Sequence, residues 1–334
     1  MNISVSHPRL AFELCTVYRG VRVIVLGATG FIGRWVANRL SEAGADLVVT
    51  ARDRSAMETI QEAYCIRGRV ESLDLTDDHA LRELIHRCQP AVIFNLCGYG
   101  VDRHEQDPDT SHLINCQLVE TLCDSLRNVP SSTWAGQRLV HTGTVAEYGT
   151  THGDLAEDSD ARPTTFYGRT KLEGTHALAT RCRQSGLRSL TARLPTVYGP
   201  GEHAGRLLPS LLDAARHSAA ISLTAGLQKR DFIYVVDVAD GLLRLGLTTP
   251  PPGTIVNLAT GYLASVRTFI ETAAPILGIV GRRLLFGDLP MRSGEMSHEP
   301  ITIARLLALA YWRPPTNIEI GIRHSVHFAS ILPR

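Results

Sequence analysis

In TFYGRTKLEG, residues 165–174, a tyrosine and a lysine stand four positions apart. On a helix, Tyr167 and Lys171 then lie one above the other on a single face. An ammonium beside a phenol favours the phenolate and lowers the tyrosine pKa towards neutrality. Such a phenol can protonate an alkoxide as hydride reaches a carbonyl carbon, or deprotonate the alcohol in reverse. A core tyrosine with a surface lysine is the plainer alternative. Composition weighs against it: Lys171 and Lys229 are the only lysines, beside thirty-two arginines and nine tyrosines. Chance places one Tyr-x-x-x-Lys in about 5% of such chains. Where arginine is the general cation, a surviving lysine does what arginine cannot, such as titrate or sit compactly beside a ring. The pair needs a short hydroxyl on the substrate oxygen. HTGTVAEYG (141–149) offers Thr142 and Thr144, and spacing does not separate them, since threonine is ordinary in a strand.

Hydride needs a carrier. GATGFIG (27–33) follows an apolar run and opens a helical pattern. Glycines at 27, 30 and 33 allow a tight turn, close approach of backbone amides to a diphosphate, and close helix–strand packing. The candidate contacts are Gly27, Gly30, Phe31, Ile32, Gly33 and Arg34. An acid commonly ends the second strand and binds the adenosine ribose. Here Ala51 takes that position and Arg52 follows. A guanidinium grips a 2′-phosphate in a fork, which an acid would repel, so the stretch reads as NADP(H), with NAD the alternative if Asp53 swings back. Asp53 falls where it would cap the next helix. Asp74 and Leu75, ending the third strand, are candidates for the adenine.

These motifs must be held by a sheet. VRVIVLG (21–27), DLVVTA (46–51), GRVESLDL (68–75), AVIFNLC (91–97), QRLVHTG (137–143) and RSLTARL (188–194) read as strands alternating with helices such as WVANRLSEAG (35–44). Near-continuous apolar strands of this kind form a parallel sheet covered on both faces. The expected class is therefore α/β, a Rossmann doubly wound parallel sheet with a smaller C-terminal substrate-binding lobe. The divisions are an N-terminal arm (1–20), an NADP-binding domain (21–195, with 231–262 returning to it) and a lobe made mainly of 196–334. Hydrophobic content of 44%, charged content of 20% and a net charge of +1 over 334 residues exclude a general nucleic-acid or membrane-surface binder. No apolar run spans a bilayer. Seven cysteines without a CxxC pair fit a reducing cytoplasm. The histidines have no metal spacing; His104 and His112 could share a helix face, as surface or core residues, and no metal is expected.

Together these motifs resemble the extended short-chain dehydrogenase/reductase family of nucleotide-sugar epimerases, dehydratases and reductases. GATGFIG, NLCGYGVDR, HTGTVAEYG, YGRTK, RLPTVYGPG and KRDFIYVVDVADG occur in the family's order. The resemblance selects Thr144, five places before Gly149, as the hydroxyl, with Tyr167 as acid and Lys171 tuning it and holding the nicotinamide ribose. It implies that Arg230 and Arg206 bind a nucleotide diphosphate and that Leu207 packs on the base. Thr196 stands where relatives carry an asparagine. It also implies a homodimer through the segment around His112–Leu126 and the helix bearing Tyr167, each leaving an apolar face for the partner.

Departures narrow the reaction. The 4,6-dehydratases follow their threonine with Asp-Glu; here Val145 and Ala146 occupy those places and Glu147 is displaced by one. Ala146 also replaces the glutamate of UDP-glucuronate decarboxylases. The chain is most similar to NADPH-dependent 4-ketoreductases of nucleotide-linked 4-keto-6-deoxysugars. The alternatives are a 4-epimerase retaining NAD, a ketoreductase for a carbonyl compound without a nucleotide, and a non-catalytic cofactor sensor on the same fold.

Overall fold

A computed structural model describes residues 11–331, apart from 102–104, 106, 131, 152, 218, 291–296 and 298. The strands in chain order are β1 (Arg22–Leu26), β2 (Asp46–Ala51), β3 (Arg69–Ser72), β4 (Val92–Asn95), β5 (Leu139–Thr144), β6 (Ser189–Leu194), β7 (Thr196–Tyr198), β8 (Ile221–Leu223), β9 (Lys229–Tyr234), β10 (Thr254–Asn257), β11 (Leu263–Ser265) and β12 (Leu284–Phe286). Seven of them form one parallel sheet in the order β10-β6-β5-β4-β1-β2-β3. The β-branched runs form it because both faces are buried. Along β1, Val23 and Val25 join one apolar cluster while Ile24 and Leu26 join the other, the two-residue alternation of a strand sandwiched between helices.

Helices Phe31–Glu42 and Val235–Leu247 cover the first face, and Asp78–Cys88, Leu118–Arg127 and Phe166–Ser185 cover the second. The α/β doubly wound class is therefore as expected, with a smaller lobe beside the sheet. From β1 the chain steps to β2 and β3 on one side, then crosses to β4 on the other. That reversal opens a crevice at the carboxyl ends of β1 and β4, where sheets of this type receive ligands.

Three features go beyond the sequence reading. Within the segment read as an arm, Phe12–Tyr18 is a helix, and Leu14 and Tyr18 belong to the core. The Tyr18 hydroxyl donates to the Leu243 carbonyl at 2.7 Å. Within 231–262, β10 pairs with β6, whereas β9 lies between β11 and β7 in a separate three-stranded sheet. Arg39, buried on helix Phe31–Glu42, pairs with Asp240 on helix Val235–Leu247 at 2.8 Å, clamping the late helix to the first.

A further feature bears on an expectation. The outer face of the two helices thought to leave an apolar surface is charged. Arg181 bridges Glu120 at 3.2 Å and Asp124 at 2.9 Å, and His112 meets Glu173 at 3.2 Å. Leu118, Leu122 and Leu178 are spent against the sheet, while Phe166 at the start of the second helix stays exposed. His104 lies outside the described residues. Among the described residues no helix is long and apolar enough to cross a membrane.

Candidate active site

Strand β5 delivers Thr144 to the crevice. Its side chain caps the following turn, Val145–Glu147, by accepting from the Ala146 amide at 3.2 Å, while Glu147 Oε1 accepts from the Thr144 amide at 2.8 Å. The Thr144 hydroxyl is close enough to the Tyr167 phenol to favour its ionised form. Thr142, two residues earlier, donates its hydroxyl to the Asn95 carbonyl at 3.1 Å inside the sheet. Spacing had left the two threonines equal; the geometry puts Thr144 beside the phenol and Thr142 in the scaffold.

Tyr167 and Lys171 sit in the first turns of helix Phe166–Ser185, whose start is capped by Thr165 accepting from the Gly168 amide. Lys171 is 2% exposed and donates to the Cys97 carbonyl, just beyond β4, at 3.2 Å. A Cβ added to the exposed Gly98 would stand 3.9 Å from Lys171 Nζ, from Tyr167 Oη and from Asn115 Oδ1. The phenol and the ammonium thus face one small space at the end of β4.

The electrostatics of the pair differ from the sequence expectation. Burial pushes the Tyr167 phenol up, well above its ordinary value, and the Glu147 and Glu105 carboxylates push the same way. The Arg206 charge and the Thr144 hydroxyl oppose this without overcoming it. Lys171 is not the lever that had been expected. Burial pushes the ammonium itself down to about 8, against the upward pull of Glu147 and Cys97. Desolvation outweighs the attraction between neighbours here. The outcome is a protonated phenol, suited to acid work, beside a lysine that titrates close to neutrality.

One residue escaped sequence reasoning. The helix before Leu118–Arg127 contains a π turn, Leu113–Gln117, a distortion often found at functional sites. Asn115 projects from it, accepts from the Tyr99 amide at 3.0 Å, and donates to the Tyr99 carbonyl at 2.8 Å and to Thr170 at 2.9 Å. It fastens the loop after β4 to the Tyr167 helix. Nothing in the local pattern marks a π turn.

The glycine-rich turn meets the needs of a diphosphate. Gly30 is the N-cap of helix Phe31–Glu42 and no side chain caps that end, leaving its dipole and first-turn amides, including those of Phe31 and Ile32, for an anion. A Cβ at Gly33 would overlap the Gly27 carbonyl oxygen, so helix and turn pack closely only with glycine there. Arg34 folds back onto this turn, donating to the Thr29 carbonyl at 2.7 Å and the Gly30 carbonyl at 3.1 Å.

Arg52 is exposed directly after β2. Asp53 spends its carboxylate as a helix cap, accepting from Ser55 at 2.9 Å and Ala56 at 3.1 Å. Asp74 accepts from the Thr76 amide and hydroxyl, bonds that hold its carboxyl below the ordinary range, with Arg52 adding a smaller effect. Leu75 is half-buried against the second core cluster.

Of the four lobe residues, Arg206 is close enough for its charge to act on Tyr167. It is the N-cap residue of helix Leu207–Ala214, and Leu207 opens that helix, packed on the core. Thr196 begins β7, opposite Phe232 of β9, and Arg230 lies two positions before Phe232 on the same strand. Thr196 and Arg230 therefore occupy adjacent strands. Glu147, the displaced acid of the threonine motif, is fully buried and bonded to Arg193 at 2.8 Å.

The family pattern described as NAD dependent epimerase/dehydratase matches residues 23–259, and the chain belongs to that family. Its members here include NAD(P)-dependent dehydrogenases, epimerases and dehydratases acting on nucleotide sugars, and this chain is an enzyme of the same kind. It is 32% identical over 262 residues, 75% of this chain and 77% of the relative, to dTDP-6-deoxy-L-talose 4-dehydrogenase (NAD(P)(+)) of Kitasatospora kifunensis. It is 23% identical to a probable UDP-glucuronate 4-epimerase of Rhizobium meliloti, covering 92% of this chain and 96% of that one. Among solved structures, UDP-glucuronic acid 4-epimerase from Bacillus cereus, in complex with UDP-glucuronic acid and NAD, superposes with a TM-score of 0.79 at 20% identity, over 92% of this chain and 98% of that chain.

Proposed function

We propose that the chain is an NADPH-dependent ketoreductase for a nucleotide-activated keto-deoxysugar, with the 4-keto group as the site of reduction. The observation that carries the cofactor reading is at the end of β2: Asp53 is consumed as a helix cap, and Arg52 is left exposed beside it. A guanidinium there grips a 2′-phosphate. The substrate class draws on the dTDP-6-deoxysugar 4-dehydrogenase relative, because dehydrogenation at C4 run backwards is 4-keto reduction.

Bound at the glycine-rich turn, NADPH supplies hydride to the carbonyl carbon. Tyr167 gives its phenolic proton to the carbonyl oxygen as that oxygen gains charge, and Thr144 donates a hydrogen bond that orients it. Lys171 remains beside the resulting phenolate and replaces part of its lost solvation. Arg206 and Arg230 are assigned to the substrate diphosphate, Leu207 and Thr196 to the nucleotide beside it, and Asp74 with Leu75 to the adenine end of the cofactor. A homodimer in the cytoplasm completes the reading.

The second reading, a 4-epimerase with retained NAD, is favoured by the epimerases among the relatives. One experiment separates the two. Purified protein is denatured and any released nicotinamide identified, then NADPH and NADH are titrated against the remaining apo protein. The reductase requires empty sites, a clear NADPH preference, and loss of that preference in Arg52→Ala. Tightly retained NAD would overturn it in favour of the epimerase.

A further inference from the structure

Glu147 is a buried acid that the proposed reaction does not use. Its carboxylate gathers three elements. Oε1 accepts from the Thr144 amide at the end of β5 (2.8 Å) and from the Thr175 hydroxyl (3.3 Å), and Oε2 accepts from Arg193 Nε on β6 (2.8 Å). Thr175 lies four residues after Lys171 and eight after Tyr167 on helix Phe166–Ser185, hence on their face. Space for this arrangement is reserved, since a Cβ at Gly143 would come within 2.5 Å of Glu147 Oε1. We infer that Glu147 is a positioning residue, whose carboxylate, held by Arg193, ties the strand end carrying Thr144 to the helix face carrying Tyr167 and Lys171.

The anchor is rigid. The Arg193 guanidinium stacks 4.4 Å over the Tyr148 ring, whose hydroxyl donates to Asn257 Oδ1 at 2.8 Å, and the Asn257 amide donates to Glu157 at 2.9 Å. Arg193 and Glu147 side chains are 2% and 0% exposed. A fully desolvated ion pair is a poor means of adding stability, because desolvation cancels much of the attraction. This one sits beneath the three groups assigned to proton transfer. The carboxylate also acts on them through space, raising the affinity for protons of both Tyr167 and Lys171. The other charged or titratable groups facing the pair are Glu105 and Arg206 at Tyr167, with Cys97 and His141 at Lys171.

The inference rests on the assignment of Thr144, Tyr167 and Lys171, and its test has a readout that needs no substrate. The chain has two lysines, so protein labelled with 13Cε-lysine gives two resonances, separated by a Lys229→Arg variant. Lys171 is titrated in the wild type, in Glu147→Gln, and in Glu147→Gln/Arg193→Gln, which leaves no buried charge unpaired should the single variant fail to fold. The expected result is a fall in the Lys171 midpoint on the order of one pH unit, restored by Glu147→Asp. A midpoint unchanged in either folded variant overturns the inference. In parallel, oxidation of dTDP-6-deoxy-L-talose with NADP+ is followed against pH. The alkaline-rising limb should move down with the Lys171 midpoint, and kcat should fall tenfold or more, ~10-fold at the least, with KM little changed. A lower kcat with an unmoved limb would reduce Glu147 to a structural residue. A shifted Lys171 midpoint with no turnover even in the wild type would support the positioning role and instead defeat the substrate assignment.

Discussion

Two threonines two residues apart differ in what their hydroxyls meet. Replacing Thr144 with valine removes a hydroxyl that acts on the Tyr167 phenol, and kcat should fall about 10²-fold with KM nearly unchanged. Thr142→Val loses only a bond to the Asn95 carbonyl; it should keep its turnover and lose about 1 kcal/mol in urea denaturation. Equal kcat values for the two variants would refute the assignment. Tyr167→Phe should lower turnover by about 10²–10⁴-fold, and wild-type turnover in that variant would end the acid–base mechanism. Lys171 leaves a thermodynamic trace. Its native pKa, about 8, is lower than the ordinary 10.5. Between those values the unfolded chain holds a proton that the native chain lacks, so this group makes stability rise with pH across the window and costs most below it. Lys171→Met should lack that rise when unfolding free energies are measured through the window, and identical pH slopes would contradict the burial of the ammonium. The tyrosine–lysine spacing was legible because four residues is a helical repeat. The direction of the phenol's shift was not, since it depends on the loop after β4, where a Cβ at Gly100 would lie 3.6 Å from the Tyr167 ring.

The strands were legible for a simple reason: a strand buried on both faces must be apolar throughout, and β2 runs Asp46–Ala51 as its sequence implied. Asp53 was legible as a cap by its place ahead of a helical pattern. Helix Phe12–Tyr18 was not, because it is short and its partner Leu243 lies 225 positions away. The same fact makes a prediction. Tyr18→Ala removes a buried aromatic and the bond to Leu243, and should cost about 3–5 kcal/mol, read by chemical denaturation, with cofactor contacts untouched. A neutral result would mean the helix is dispensable to the fold. Arg34 was read as a candidate contact to the cofactor. Its guanidinium lies on the Thr29 and Gly30 carbonyls and 5.1 Å over the Tyr64 ring, partners no spacing rule could have named.

Charge on the outer helix face bears on association. If two copies meet through helices Leu118–Arg127 and Phe166–Ser185, the contact includes the charged Glu120, Asp124, Arg181 and Glu173. Attraction between such groups is screened by salt. The dimer population measured by sedimentation should therefore fall as ionic strength rises, and a salt-independent dimer would place the interface elsewhere. The smaller lobe was the least legible part, because its short strands β7, β9 and β11 carry no long apolar run and are joined by pairings distant in sequence.

The position of β10 at the margin of the large sheet has a consequence for how the chain is made. β6 is complete at Leu194, yet the strand that covers its open side spans Thr254–Asn257. On the ribosome, the first six strands exist for a time with one row of backbone amides and carbonyls exposed, an invitation to pairing between nascent chains. Synthesis of the small lobe is the delay that must elapse before the sheet can close. A gene product stopped just short of Thr254 would carry every glycine of the cofactor turn and all three proton-transfer residues, and should accumulate as aggregate rather than as a minimal enzyme.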